Sequence, residues 1–339
     1  MADSVEESLV KVDDLWFTTD TIIIIRAENK IFRVPGGILA ARSSVFRDMI
    51  SFPQPEVVST NSDFEQMDGC PVVRLHDAAE DVEVFLRAIY DSSYFSPPPA
   101  PTQLSVVLGC LRLSYKYDVE YLHRRALQHL MAGGWYTSTY DESVSSHLIY
   151  GASDSFETTH LLQIIATATE VSALWLLPSA YYELSTYPSK DILPFLEGNV
   201  GLHVGKALAA RTDLIRGTIA VHDFLNHFEP CKTPKRCGEA RKFASRELLD
   251  KLSGPELDPI TWNVKHRITK TLKALSMCGE CRDSAKKRVD KAACDFWDEL
   301  PGVFDLPTWQ ELHTMKKAAM GEEDSDEETS ESDSSSESD

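Results

Sequence analysis

The stretch Phe32-Arg33-Val34-Pro35-Gly36-Gly37-Ile38-Leu39-Ala40-Ala41-Arg42-Ser43-Ser44-Val45-Phe46-Arg47-Asp48-Met49 constrains the fold more than any other part of this chain. It reads as a strand that ends in a tight turn and passes at once into two short helices. Gly36 and Gly37 give the backbone the freedom to make that turn. Upstream, Leu15 to Ile25 and Ile31 to Val34 read as a β-hairpin, with Ala27-Glu28-Asn29-Lys30 as its turn. The β-branched run Ile22–Ile25 suits a strand buried on both faces.

Downstream punctuation continues the pattern. Phe52 to Gly69, rich in Pro, Ser, Asn and Asp, reads as a loop, and Val72-Val73-Arg74-Leu75 as a short strand. Val82, Phe85, Leu86 and Ile89 fall on one helical face. Pro97 to Pro101 form a stiff loop that cannot be helical. Leu104 to Tyr117 and Val119 to Leu130 read as a helical pair.

The order of elements and three motifs within it resemble a BTB/POZ domain over residues 15–130. The motifs are Leu39-Ala40-Ala41-Arg42-Ser43 with Val45-Phe46, Val73-x-Leu75 before Phe85, and Tyr115-Lys116-Tyr117 before Leu122. Pro35 stands where BTB domains often carry His. The whole chain resembles the large fungal, basidiomycete-type group of BTB proteins. That wider likeness rests on Pro53-Gln54-Pro55-Glu56, on Trp175-Leu176-Leu177-Pro178 with Ala180 and Tyr181, and on Trp297-Asp298-Glu299-Leu300-Pro301.

The resemblance implies an α+β class: a BTB/POZ domain at 15–132, then an all-α domain at 133–320. It also implies self-association as a homodimer. Leu15, Trp16 and Phe17, which follow a polar segment at 1–14, are candidate dimer-interface residues; closing the monomer's own core is the alternative. Family members recruit partner proteins as adaptors, some of them to cullin-type ubiquitin ligases. Val82-Glu83-Val84 does not cleanly reproduce the hydrophobic-x-Glu motif of those adaptors.

Past Gly133-Gly134 the pattern is helical. Leu161, Ile164, Ile165 and Ala168 form one stripe, and Val264, Ile268, Leu272 and Leu275 another that runs into Cys278. Val289, Ala293 and Phe296 form a third, and Leu202 to Phe228 reads as one longer helix. Residues 321–339 are almost wholly Ser, Asp and Glu, too polar to offset chain entropy, and are expected to be disordered.

The net charge of −19 is unevenly spread. The 321–339 tail holds ten acids and no base, leaving −9 on the body. Residues 232–291 carry 16 Lys and Arg against 8 Asp and Glu. The overall balance disfavours a general nucleic-acid binder, because phosphate affinity needs a cationic face. Locally the basic segment lacks interleaved aromatics for base stacking. Solvated helix faces are the commoner explanation for such charge; as a binding face it suits an acidic protein partner, the chain's own tail included. Serines ahead of acids in that tail resemble acidophilic kinase sites, beside the plainer reading of a solubilising tail. Asp3, Glu6 and Glu7 replace the basic start of a secretory signal, and no apolar run approaches a bilayer span, so an intracellular protein of nucleus or cytoplasm is expected, with no membrane partner.

Seven cysteines, an odd number, argue against a disulfide framework. Four of them, Cys231, Cys237, Cys278 and Cys281, form a candidate metal set suited to structural zinc. Cys278-Gly279-Glu280-Cys281 has the C-x-x-C spacing that lets backbone amides face thiolates. Lys232, Lys235, Arg236, Arg282 and Lys286 favour the thiolate form electrostatically. Five residues separate Cys231 from Cys237, wider than the usual two to four; free buried thiols, or a close pair clamping helices, are the alternatives. Cys294, His227 and His266 are spare ligands.

Enzyme signatures fail. Gly201-Leu202-His203-Val204-Gly205-Lys206-Ala207 has one spacer too few for a phosphate-binding loop and Ala where Ser or Thr must bind magnesium. The expected function is therefore a non-enzymatic interaction protein, an adaptor or scaffold. The alternative is a nuclear transcriptional regulator whose Cys and basic module contacts nucleic acid.

Overall fold

The computed structural model describes residues 21–51, 66–135, 158–226, 231–252 and 270–322. Leu15, Trp16, Phe17, the Pro53–Glu56 motif, His227, Val264, His266, Ile268 and the tail from residue 323 lie outside these residues.

The first unit is built around a four-stranded mixed sheet. Its strands are β1 (Ile22–Ala27), β2 (Lys30–Pro35), β3 (Gln66–Met67) and β4 (Cys70–Leu75), in the order β2-β1-β4-β3. Strand β1 pairs antiparallel with β2 and parallel with β4. Its central place explains its apolar run: Ile23, Ile24 and Ile25 are all buried. The hairpin turns tightly, since Ala27 pairs with Lys30 and Glu28 takes a left-handed φ of 46°.

One expectation needs correction. The loop read through Gly69 instead ends in a two-residue hairpin. Asp68 and Gly69 sit at φ 52° and 73°, the geometry that tight hairpins require, and Met67 pairs with Cys70.

The elbow after β2 forms as its sequence suggests. Helix α1 (Gly36–Arg42) starts where the Gly36 N–H donates to Thr21 O at 2.8 Å. A Cβ on Gly36 would stand 3.0 Å from that oxygen, tighter than ordinary contact. Ser43 breaks the helix before α2 (Ser44–Ser51). It is buried; its hydroxyl donates to Tyr117 O and accepts the Phe46 N–H at 3.0 Å.

Helices α3 (Ala79–Tyr90), α4 (Leu104–Lys116) and α5 (Glu120–Leu130) complete the unit. Phe46 stacks on Tyr117 at 4.8 Å, and Tyr117 lies 5.9 Å from Phe85. The Tyr117 hydroxyl donates to Asp77. Residues from all three sequence motifs thus meet in one buried aromatic column.

Helix α5 continues into a π-helical turn, Met131–Trp135, which spans the expected 132/133 boundary. Beyond it come α6 (Thr158–Glu170), α7 (Leu177–Thr186), the short α8 (Ser189–Ile192), α9 (Gly201–Val221), α10 (Pro234–Leu252), α11 (Gly279–Val303) and α12 (Trp309–Met320). A short helical segment, residues 270–274, precedes α11. The α6 stripe of Leu161, Ile164, Ile165 and Ala168 is fully buried. Helix α9 ends earlier than its apolar pattern suggests, passing at His222 into a 3₁₀ turn, Asp223–Leu225.

The two halves share one contiguous apolar core. Arg112 on α4 holds Asp81 on α3 through two bonds of 2.8 and 2.9 Å and donates to Thr167 on α6 at 2.8 Å. At the far end Trp297 is buried, stacked on Trp309 at 5.7 Å and edge-on to Tyr182. A capping box between Thr308 and Glu311 starts α12. Among the described residues, no helix is long and apolar enough to cross a membrane.

Candidate metal centre

Cys231, Cys237, Cys278 and Cys281 converge. Their four sulfurs all lie within 4.8 Å of one another. A tetrahedral zinc with Zn–S bonds near 2.3 Å separates its sulfurs by about 3.8 Å, so a small inward movement completes the shell. None of the four is in a disulfide.

Local sequence explains how each thiol arrives. Thr233-Pro234 opens α10, with Pro at the first helical position, where its missing N–H costs nothing. The Cys237 N–H donates to Thr233 O at 3.0 Å, which puts Cys237 in the first turn. Cys231 sits in the lead-in to that helix. The long Cys231–Cys237 spacing is therefore taken up by one helix start, where a C-x-x-C would use a tight knuckle.

The second pair is delivered by a helix end and a helix start. The 270–274 segment closes in a Schellman motif: Ser276 takes φ 60° and bonds Lys273 O at 3.0 Å, and Met277 bonds Leu272 O at 3.1 Å. Leu272 and Met277 are both buried, the apolar contact that accompanies this motif. Cys278 then becomes the N-cap of α11, and Cys281 lies three residues into it. Two helix N-termini thus face the cluster, and their positive dipole ends favour thiolate over thiol.

Hydrogen bonds to sulfur reinforce this. The Cys278 N–H donates to Cys237 Sγ at 3.4 Å, and the Thr233 hydroxyl lies 3.3 Å from the same sulfur. Burial pushes the Cys237 thiol up. The Cys278 amide, the Thr233 hydroxyl and the Cys278 and Cys231 thiols outweigh that and bring it down to about 7. Burial, and then hydrogen bonding to the other three cysteines, pushes Cys281 the opposite way.

The flanking bases divide. Lys232 is exposed and pairs with Glu280 at 3.2 Å. Arg241, absent from the sequence-based candidates, is only 8% exposed, and its Nη2 stands 3.7 Å from Cys281 Sγ. Its signal in the sequence is the i, i+4 spacing from Cys237 on α10, which puts both on one helix face. Cys294 is exposed and lies thirteen residues along α11 from Cys281, about 20 Å away, so it is no ligand of this cluster. Cys70 and Cys110 are buried elsewhere in the first unit.

Two other candidates resolve simply. Residues 201–207 form the first turns of α9, so the glycine-containing stretch offers no loop to cradle phosphate. The elbow after β2 borders an open polar depression lined by Arg42, Ser44, Arg47, Asp118, Glu120 and Tyr121. Ser44 there is bound to Asp118. No protein-family model, curated protein or solved structure matches this chain significantly.

Proposed function

We propose that this chain is a non-enzymatic interaction protein of the BTB/POZ class. It self-associates as a homodimer and recruits partner proteins as an adaptor or scaffold, within the nucleus or cytoplasm. The observation that carries this reading is the column Phe46–Tyr117–Phe85 with Ser43 bonded to Tyr117 O. It joins the three motifs on which the family resemblance rests into a single core, in the expected element order. Val82-Glu83-Val84 lends no support to recruitment by a cullin-type ubiquitin ligase. Val82 is buried in the core, and Glu83 is engaged by Lys30 and Arg87, so that segment presents no free hydrophobic-x-Glu face. Light scattering on the full chain tests the reading. It is expected to return twice the monomer mass at tens of micromolar, a range typical of transient affinities; a clean monomer at that concentration refutes self-association.

The helical half holds one structural zinc at Cys231, Cys237, Cys278 and Cys281. Four thiolates complete a tetrahedron and leave no position for water or substrate, so the ion is a staple with no catalytic part. Their soft sulfur donors select zinc over hard cations such as magnesium and calcium. Elemental analysis of protein prepared with zinc is expected to give about one ion per chain, the stoichiometry of one closed site. Cobalt substitution is expected to give the absorption of a four-thiolate tetrahedral ion. Protein that takes up neither metal refutes the centre.

A further inference from the structure

Four thiolates around one divalent ion leave a net charge of −2 in a part-buried site. Such a charge is costly unless neighbouring groups balance it. The chain supplies two helix N-termini, the Cys278 N–H and the Thr233 hydroxyl, all of them partial charges. Among the described residues, Arg241 brings a full positive charge to the cluster, its Nη2 standing 3.7 Å from Cys281 Sγ.

Arginine is always protonated and is seldom buried unless it meets an anion. Arg241 is 8% exposed, and Cys281 Sγ, itself buried, is among the groups its guanidinium meets. It is held there by α10, the helix that also presents Cys237 one turn earlier. The two cysteine pairs come from segments forty residues apart, yet the cation and both pairs meet at one point.

We infer that Arg241 is the countercharge built into an anionic four-thiolate zinc centre, and that it sets how tightly the ion is held and how slowly its thiolates meet electrophiles. The inference rests on the zinc reading above. Its chemistry is direct. A guanidinium N–H donating to a zinc-bound sulfur draws electron density from it, and a poorer sulfur nucleophile attacks alkylating agents more slowly. Arg241 acts through Cys281 and is a positioning residue.

The test uses the full chain loaded with zinc, in wild type, Arg241→Met and Arg241→Lys. Zinc affinity is read by competition with a chromophoric chelator, and thiol reactivity by the rate of alkylation with iodoacetamide. Arg241→Met is expected to weaken zinc binding by about 10- to 100-fold, the usual effect of losing an outer-shell partner, and to speed alkylation. Arg241→Lys keeps the charge and is expected to recover most of the affinity. If Arg241→Met holds zinc as tightly as wild type and is alkylated at the same rate, the inference is overturned while the zinc centre stands. If wild type itself binds no zinc, the centre fails and the inference with it. If Arg241→Met yields no folded protein, Arg241→Lys decides: near-native affinity supports the countercharge, and a loss beyond 100-fold overturns it.

Discussion

Removing the proposed ion is the perturbation that tests the zinc reading most directly. The structure sets the scale in two ways. Bound as proposed, zinc would join Cys237 to Cys278 across about forty residues of chain, and a cross-link closing a loop of that length lowers unfolded-chain entropy by about 4 kcal/mol at 25 °C. By mass action, a site with a binding free energy of about 10 kcal/mol, the weak end for structural zinc, gains about 3 kcal/mol at ~10 μM free ion. Both routes give about 3–4 kcal/mol. For a cooperative unit of 150–250 residues this is roughly 6–16 °C in melting temperature. The assay is thermal unfolding of the full chain with zinc and with excess chelator, in wild type, Cys281→Ser and Cys294→Ser. Serine in place of buried Cys281 costs stability of its own, so the informative quantity is each protein's response to chelation. Wild type and Cys294→Ser are expected to lose the full increment, because Cys294 is exposed and distant from the cluster. Cys281→Ser is expected to respond much less. Equal responses from all three, or none from wild type, would refute the staple.

Two further outcomes follow from the described side chains. His123, His129 and His203 each have their pKa lowered, foremost by burial, from an ordinary value of 6.5. The unfolded chain's histidines therefore take up protons before the folded chain's as pH falls through about 6.5, and the stability they contribute is lost on the acid side of that point. Melting temperatures are expected to decline between pH 6.5 and 5, with a shallower decline in His123→Gln/His129→Gln; a profile that is level down to pH 5 contradicts this. Arg112→Met removes both bonds to Asp81 and the one to Thr167 and leaves a largely buried carboxylate alone. It is expected to cost about 1–3 kcal/mol in urea unfolding, the range for charged hydrogen bonds, and an unchanged midpoint would show that the two halves do not depend on this link.

Much of the first unit was legible because its signals are local. The Ile22–Ile25 run identified a central strand, and the Gly36-Gly37 elbow placed two helices after it. The apolar stripes at 82–89 and 161–168 identified helix faces that are buried, but for the half-buried Ile89. Strand β3 was missed because two residues carry no alternation; only the Asp68-Gly69 dipeptide marks it, and it sat in a polar stretch that reads as loop. The end of α9 was missed because nothing in His222-Asp223-Phe224 breaks a helix by composition. There tertiary packing decides.

The cysteine cluster shows where a linear reading reaches its limit. Residue type and the Cys278–Cys281 spacing singled out all four thiols as a candidate set, and the fold brings their sulfurs together. The Cys231–Cys237 spacing gave no support, since the feature that absorbs it is the start of α10, visible only once Thr233-Pro234 is seen to cap a helix. Arg241 was hidden more deeply. In the sequence it is one of 16 bases between residues 232 and 291, and such charge is most often a solvated helix face. What separates it from Lys235 or Lys242, both exposed on the same helix, is burial against a sulfur contributed from forty residues away. Its position follows from helix geometry, because i+4 from Cys237 points where Cys237 points. On the zinc reading, a base one turn from a cysteine on a helix that opens at the thiol cluster stands where a countercharge to four thiolates would be useful.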